Sequence, residues 1–189
     1  MILLGIQYNS PVILTYTVLS LIILVLGEIT GNRSTEAFFM IYQTSLTDPL
    51  FYFRLFSHVL GHADFNHYFN NFSMMLLIGP MVEEKYGSKN LLLMMIGTAF
   101  ISGVVHVVFF SSAGLGASGI VFMLILLTSF TNMQKGKIPL TFILVAFIFI
   151  GREIFYGITV VDNISRISHI LGGISGAVMG FALSKKIKR

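Results

Sequence analysis

Residues Asn90 to Gln134 read NLLLMMIGTAFISGVVHVVFFSSAGLGASGIVFMLILLTSFTNMQ, 45 consecutive positions without an Asp, Glu, Lys or Arg. One bilayer crossing takes ~20 apolar residues, so this tract is long enough for two. Its centre, Ser111 to Gly119, is small-residue and turn-forming and lies between two halves rich in Leu, Met and Phe, which marks the fold-back. The rest of the 189-residue chain has the same character, with 55% hydrophobic and 11% charged residues. A soluble domain carries about a quarter charged residues. An ordinary soluble protein is therefore excluded, and a multispanning membrane protein is implied.

Apolar runs fall at Pro11–Gly27, Phe65–Val82, Leu91–Phe110, Ser118–Met133, Pro139–Tyr156 and Ile167–Ser184, which predicts six membrane helices. Basic residues gather beside the ends of these runs, and that placement points to topology and not to nucleic acid. With both termini cytoplasmic, Lys85, Lys89, Lys135, Lys137, Lys185, Lys186, Lys188 and Arg189 lie inside and Arg33, Arg54, Arg152 and Arg166 outside. The expected location is the plasma (inner) membrane, multi-pass. The first run lacks a preceding Lys or Arg and a following A-x-A site, so it is expected to remain as a helix. Residues 1–189 are expected to form one domain. The absence of Cys rules out disulfides, iron–sulfur clusters and a cysteine nucleophile. The first outer loop, Glu28 to about Asp64, carries AFFMIY at 37–42 and LFYFRLF at 50–56. That density of aromatics predicts a structure lying partly in the outer leaflet, whereas Glu83 and Glu84 beside Lys85 read as a solvated cytoplasmic turn.

Polar residues inside such a frame are costly and face a cavity or a partner. They form three groups: His58, His62, Asp64, Asn66, His67, Asn70 and Asn71; Gly116, Ala117, Ser118 and Gly119; and His169 followed by Gly172, Gly173, Gly176 and Gly180. The predicted threading brings all three toward the outer side. A serine at a helix N-terminus sits where an oxyanion is favoured, and His169 is a base able to take its proton. Small residues at 172, 176 and 180 permit close approach of a neighbouring helix, expected to be the one that carries Ser118 and Gly119. His67 and Asn71, at i and i+4, share a helix face and offer donors to developing negative charge. The rest of the first group is expected to hold water, and His106 reads as an ordinary polar side chain near the end of the third helix. His58 and His62 at i, i+4 also suit zinc, but no H-E-x-x-H accompanies them, and neither a metal nor a cofactor is expected.

These three groups resemble the motifs of the rhomboid intramembrane serine proteases. Gly116, Ala117, Ser118 and Gly119 fit G-x-S-G, His62, His67 and Asn71 fit H-x4-H-x3-N, and His169, Gly172 and Gly176 fit H-x2-G-x3-G. The resemblance implies an all-α, six-helix bundle with an embedded first loop and a Ser118–His169 dyad. It also implies an oxyanion hole of the Ser118 N–H with His67 and Asn71, supporting roles for His62, Gly116, Gly119, Gly172 and Gly176, and Phe122 packed on the dyad histidine. Transmembrane proteins in the lipid bilayer are the implied substrates. Two positions depart from the family pattern: its W-R pair reads Phe53, Arg54, and the residue before the dyad histidine, commonly Ala, is Ser168. Two alternatives remain at this level, a catalytically silent rhomboid-like binding module and a histidine-using metal or proton transporter. A transporter is expected to carry liganding residues through the depth of the bundle, whereas these stop at its outer third.

Overall fold

The computed structural model describes residues 7–131, 140, 143–144, 147–148, 151 and 165–187. They include the helices α1 (Pro11–Ile29), α2 (Arg33–Phe38), α3 (Pro49–Ser57), α4 (Phe65–Tyr86), α5 (Ser88–Phe109), α6 (Ser118–Thr131) and α7 (Ser165–Ile187). Among the described residues, α1 and α5 are long and apolar enough to cross a membrane. The expected fifth run, Pro139–Tyr156, lies mostly outside the described residues. Those of it that are described are helical, and Leu140, Ile143, Leu144, Phe147 and Ile148 are exposed.

Helix ends are set by local chemistry. Pro11 opens α1, where its missing N–H costs nothing, and Asp64 caps α4 by accepting the His67 N–H at 2.7 Å. Gly87, with φ +78°, ends α4 and leads at once into α5. One end is set from a distance. The Glu83 carboxylate accepts the Val12 and Ile13 N–H groups, both at 3.0 Å, and the Ser88 hydroxyl at 2.7 Å. Glu83 is 3% exposed, so the expectation of a solvated turn is corrected: a charge at the positive end of α1 joins α1, α4 and the start of α5.

The first outer loop contains α2 and α3 and is a folded layer. Arg54 is buried; its Nε donates to Ala37 O at 2.9 Å, its Nη1 pairs with Asp48 Oδ2 at 3.1 Å, and its guanidinium lies 4.5 Å from the Tyr42 ring centroid. Asp48 also caps α3 by accepting from Leu50 N–H. Ile41, Phe51 and Leu55 form a small core against Val104 and Val107 of α5. Phe53 is half exposed and meets Phe39 edge-on, while its neighbour Arg54 makes the polar ties.

The main core centres on α6, whose residues Ile120 to Leu127 are all buried. Its described residues, Ser118–Thr131, run beside the 22 residues of α5. α7 lies against both. A Cβ on Gly173 would sit 2.6 Å from Phe122 Cδ1 and 3.0 Å from Gly119 O, whereas one on Gly172 would meet Ser102 Cβ at 2.7 Å. The expectation that Gly172 faces Gly119 is therefore corrected: Gly173 makes that contact, Gly172 faces α5, and Gly176 lies between Thr98 and Met123.

Two outcomes follow for thermal unfolding in detergent. Glu83→Ala leaves two buried N–H groups without their acceptor and should destabilise by about 2 kcal/mol or more; an unchanged midpoint would show that other groups satisfy them. Gly173→Leu should lower the midpoint strongly and the neighbouring Ile174→Leu hardly at all, because Ile174 is exposed. Equal effects would mean that α7 can turn about its axis at little cost.

Candidate active site

Ser118 is the first residue of α6, and His169 lies one turn into α7. Their side chains meet at 2.6 Å, Ser118 Oγ to His169 Nδ1. For the hydroxyl to donate, Nδ1 must be bare and the ring proton must sit on Nε2. The distance depends on Gly119, where a Cβ would lie 3.3 Å from His169 O and 3.4 Å from its Cα; the two backbones are in contact. His169 is 7% exposed. The first helical bond of α6 runs from Val121 N–H to Ala117 O, so the N–H groups of Ser118, Gly119 and Ile120 precede the ladder at the positive end of the helix.

His67 and Asn71 approach from α4. The His67 ring covers Gly116, where a Cβ would lie 2.7 Å from Cε1 and 2.8 Å from Nε2. Gly116 has φ +120°, a conformation that side chains disfavour, so both backbone and ring require glycine there. Asn71 is buried and donates one amide hydrogen to His67 O at 3.2 Å, leaving the other for a ligand. His62 is 1% exposed, donates from Nδ1 to Leu60 O at 3.2 Å, and stands edge-to-face with His67 at 5.0 Å between centroids. Its Nε2 has no hydrogen-bond partner among the described residues. Phe122 is buried against Gly173, one turn beyond His169.

The other polar residues of the first group have separate bonds. Asp64 caps α4, and Asn66 and Asn70 are exposed. The His58 ring bonds Arg54 O at 2.9 Å and Ser102 Oγ at 3.2 Å, joining α3 to α5. Among the described residues no three His, Asp or Glu side chains converge as metal ligands would.

Sequence reasoning missed how the segment before Ser118 is held. Ile41 and Gly114 exchange two backbone bonds of 2.8 Å, Gly116 N–H donates to His58 O at 3.0 Å, and the His106 ring donates from Nε2 to Ser112 O at 2.8 Å. His106 is thus a buried tie at the end of α5. The only sequence signal was the clustering of Gly114 and Gly116 with histidines elsewhere; a Cβ on Gly114 would overlap the His106 ring.

Comparison with known proteins bears on this geometry. No curated protein matches the chain. Residues 50–186 match the Rhomboid domain, a span that includes every residue of the arrangement just described except Ile41. Members of that family are membrane proteins and generally intramembrane serine proteases. With the match covering well over half its length, the chain belongs to the rhomboid family.

Proposed function

We propose that the protein is an intramembrane serine endopeptidase that cleaves transmembrane segments of other proteins with a Ser118–His169 dyad. The observation that carries this reading is the 2.6 Å contact between Ser118 Oγ and His169 Nδ1 at a helix N-terminus within a rhomboid domain. His169 takes the Ser118 proton as Oγ attacks the scissile carbonyl. The negative charge then forming on the carbonyl oxygen meets the N–H groups opening α6 together with donors from His67 and Asn71. The imidazolium returns the proton to the leaving amine, and water activated by the same base releases the acyl group. No Asp or Glu occurs at 90–134 or from Ile167 onward, so the dyad works without a carboxylate on these helices. Asp162, the nearest alternative in sequence, lies outside the described residues.

The same reading gives a single six-span domain in the plasma membrane with both termini cytoplasmic, supported by the eight-to-four distribution of Lys and Arg. A substrate helix must unwind before a carbonyl reaches Ser118, so small and weakly helix-forming residues near the cut are favoured. Entry is assigned to the fifth run, with Gly157–Ser168 as a lid; positions 157–164 lie outside the described residues, and 165–168 already belong to α7.

Cleavage of a labelled transmembrane substrate in detergent tests the reading. Ser118→Ala and His169→Ala should each abolish turnover while keeping the wild-type unfolding profile. Substantial residual cleavage by either would overturn the dyad, and an inactive, folded wild type against a range of substrates would favour the silent binding module. Asn71→Ala should lower kcat by ~100- to 1000-fold with little change in KM. His58→Ala should instead lower the unfolding midpoint, since its bonds join α3 to α5, and equal kcat losses at 58 and 71 would show one structural network.

A further inference from the structure

A groove of about 460 Å³ runs between the first outer loop and α5, lined chiefly by Phe51, Leu55, Phe100, Val104 and Val107, with Gln43 and Thr44 at one end. We infer that this groove is a binding site for one acyl chain of an outer-leaflet phospholipid. The inference rests on the membrane topology proposed above, in which the C-terminal end of α5 is the outer one.

Length and polarity together select this occupant. From Phe100 to Val108 the α5 wall is ~12 Å long, close to the ~15 Å depth of one leaflet's hydrocarbon. A single extended hydrocarbon chain is narrow enough to lie along that wall. The polar end is fixed at the outer side, because Gln43 Nε2 donates to Val107 O at 3.0 Å; the Thr44 hydroxyl beside it offers a donor at the depth of a lipid ester. The deep end is bounded by Phe100, which stacks on Phe56 at 5.4 Å and 19°. No charged residue lines the groove, which argues against an anion, a cation or a free fatty carboxylate. Its wall continues into the exposed apolar face of α5 at Leu92, Leu93 and Ile96, so hydrocarbon reaches it without crossing polar surface. Phe51 and Leu55 belong to the same small core as Ile41, and Ile41 is bonded to Gly114, four residues before Ser118; the chain would thus brace the loop that holds the serine segment.

The test uses the full chain purified in detergent, exchanged with dioleoyl phosphatidylcholine in mixed micelles, washed, and examined by native mass spectrometry and thermal unfolding. Wild type should retain one phospholipid and gain several degrees in unfolding midpoint. Val104→Trp, which fills the groove, should lose at least tenfold in retained lipid and the gain in midpoint. Ile22→Trp, which adds the same bulk to the exposed face of α1, should behave as wild type. Should Val104→Trp not fold, Leu46→Asp at the exposed mouth should weaken retention in the same way. Absence of retained lipid in wild type, equal retention by the groove variants, or equal loss in Ile22→Trp would overturn the inference. The readouts need no cleavage: an inactive chain that holds lipid would refute the protease reading alone, and an active chain that holds none would refute this inference alone.

Discussion

The contact between the α6 and α7 backbones at Gly119, His169 and Gly173 is the constraint on which the site depends. Two helices bearing ordinary side chains pack with axes 8–10 Å apart, a spacing set by the side chains between them. With Gly119 against His169 Cα and Gly173 against Gly119 O, the spacing is set by backbone atoms. The 2.6 Å contact then follows from packing. Phe122 fills the space beside Gly173, so the glycine is closely packed and leaves no void.

A second constraint is that α6 begins only at Ser118. Because it begins late, the chain between Phe110 and Ala117 must carry backbone polar groups into the molecule, and buried groups of that kind need partners. Ile41 and His58 supply them from the first outer loop, and His106 supplies another from α5. This explains why the loop is so elaborately built, with Arg54 tied to Ala37 O and Asp48 and Ser57 Oγ bonded to Phe38 O. A loose loop could not offer Ile41 in register. The departure at Phe53 is tolerated because Arg54, and not the ring before it, makes the polar ties.

Much of this was legible in sequence, and the residues show where legibility stops. The uncharged tract at 90–134, its small-residue centre and the spacing of His62, His67, Asn71, Ser118 and His169 located the helices and the residues that meet. The apolar run ends at Val82 because Glu83, Glu84 and Lys85 look solvated; α4 continues to Tyr86, and two of the partners of Glu83 lie some 70 residues away. The spacing of Gly172 and Gly176 does not single out Gly173, because a four-residue spacing fixes a helix face only broadly and adjacent positions differ by ~100°. The loop's aromatic content was visible, but its ties to Gly114 and Gly116 are pairings between distant segments that no local pattern encodes.

The proposed hydrolysis inside a bilayer needs water at the scissile bond and must not open a path across the membrane. The distribution of side chains meets both demands. Around Ser118 the polar groups are concentrated on the first turns of α4, in the loop before it and at the end of α5, with Asn66 and Asn70 exposed beside His67. Toward the opposite end, α4, α5 and α6 present Met75, Val82, Leu91, Met94, Leu124 and Leu127, all fully buried in one apolar cluster, and Glu83 closes the far end with every bond directed at backbone or Ser88. Polar side chains thus gather at the Ser118 end of these helices, and close-packed hydrocarbon fills the space toward Glu83. A site at mid-depth would need polar groups along twice the length to stay wet, at the cost of the seal; starting α6 with Ser118 partway down, reached by a backbone segment that brings its own hydrogen bonds, is the arrangement that keeps both.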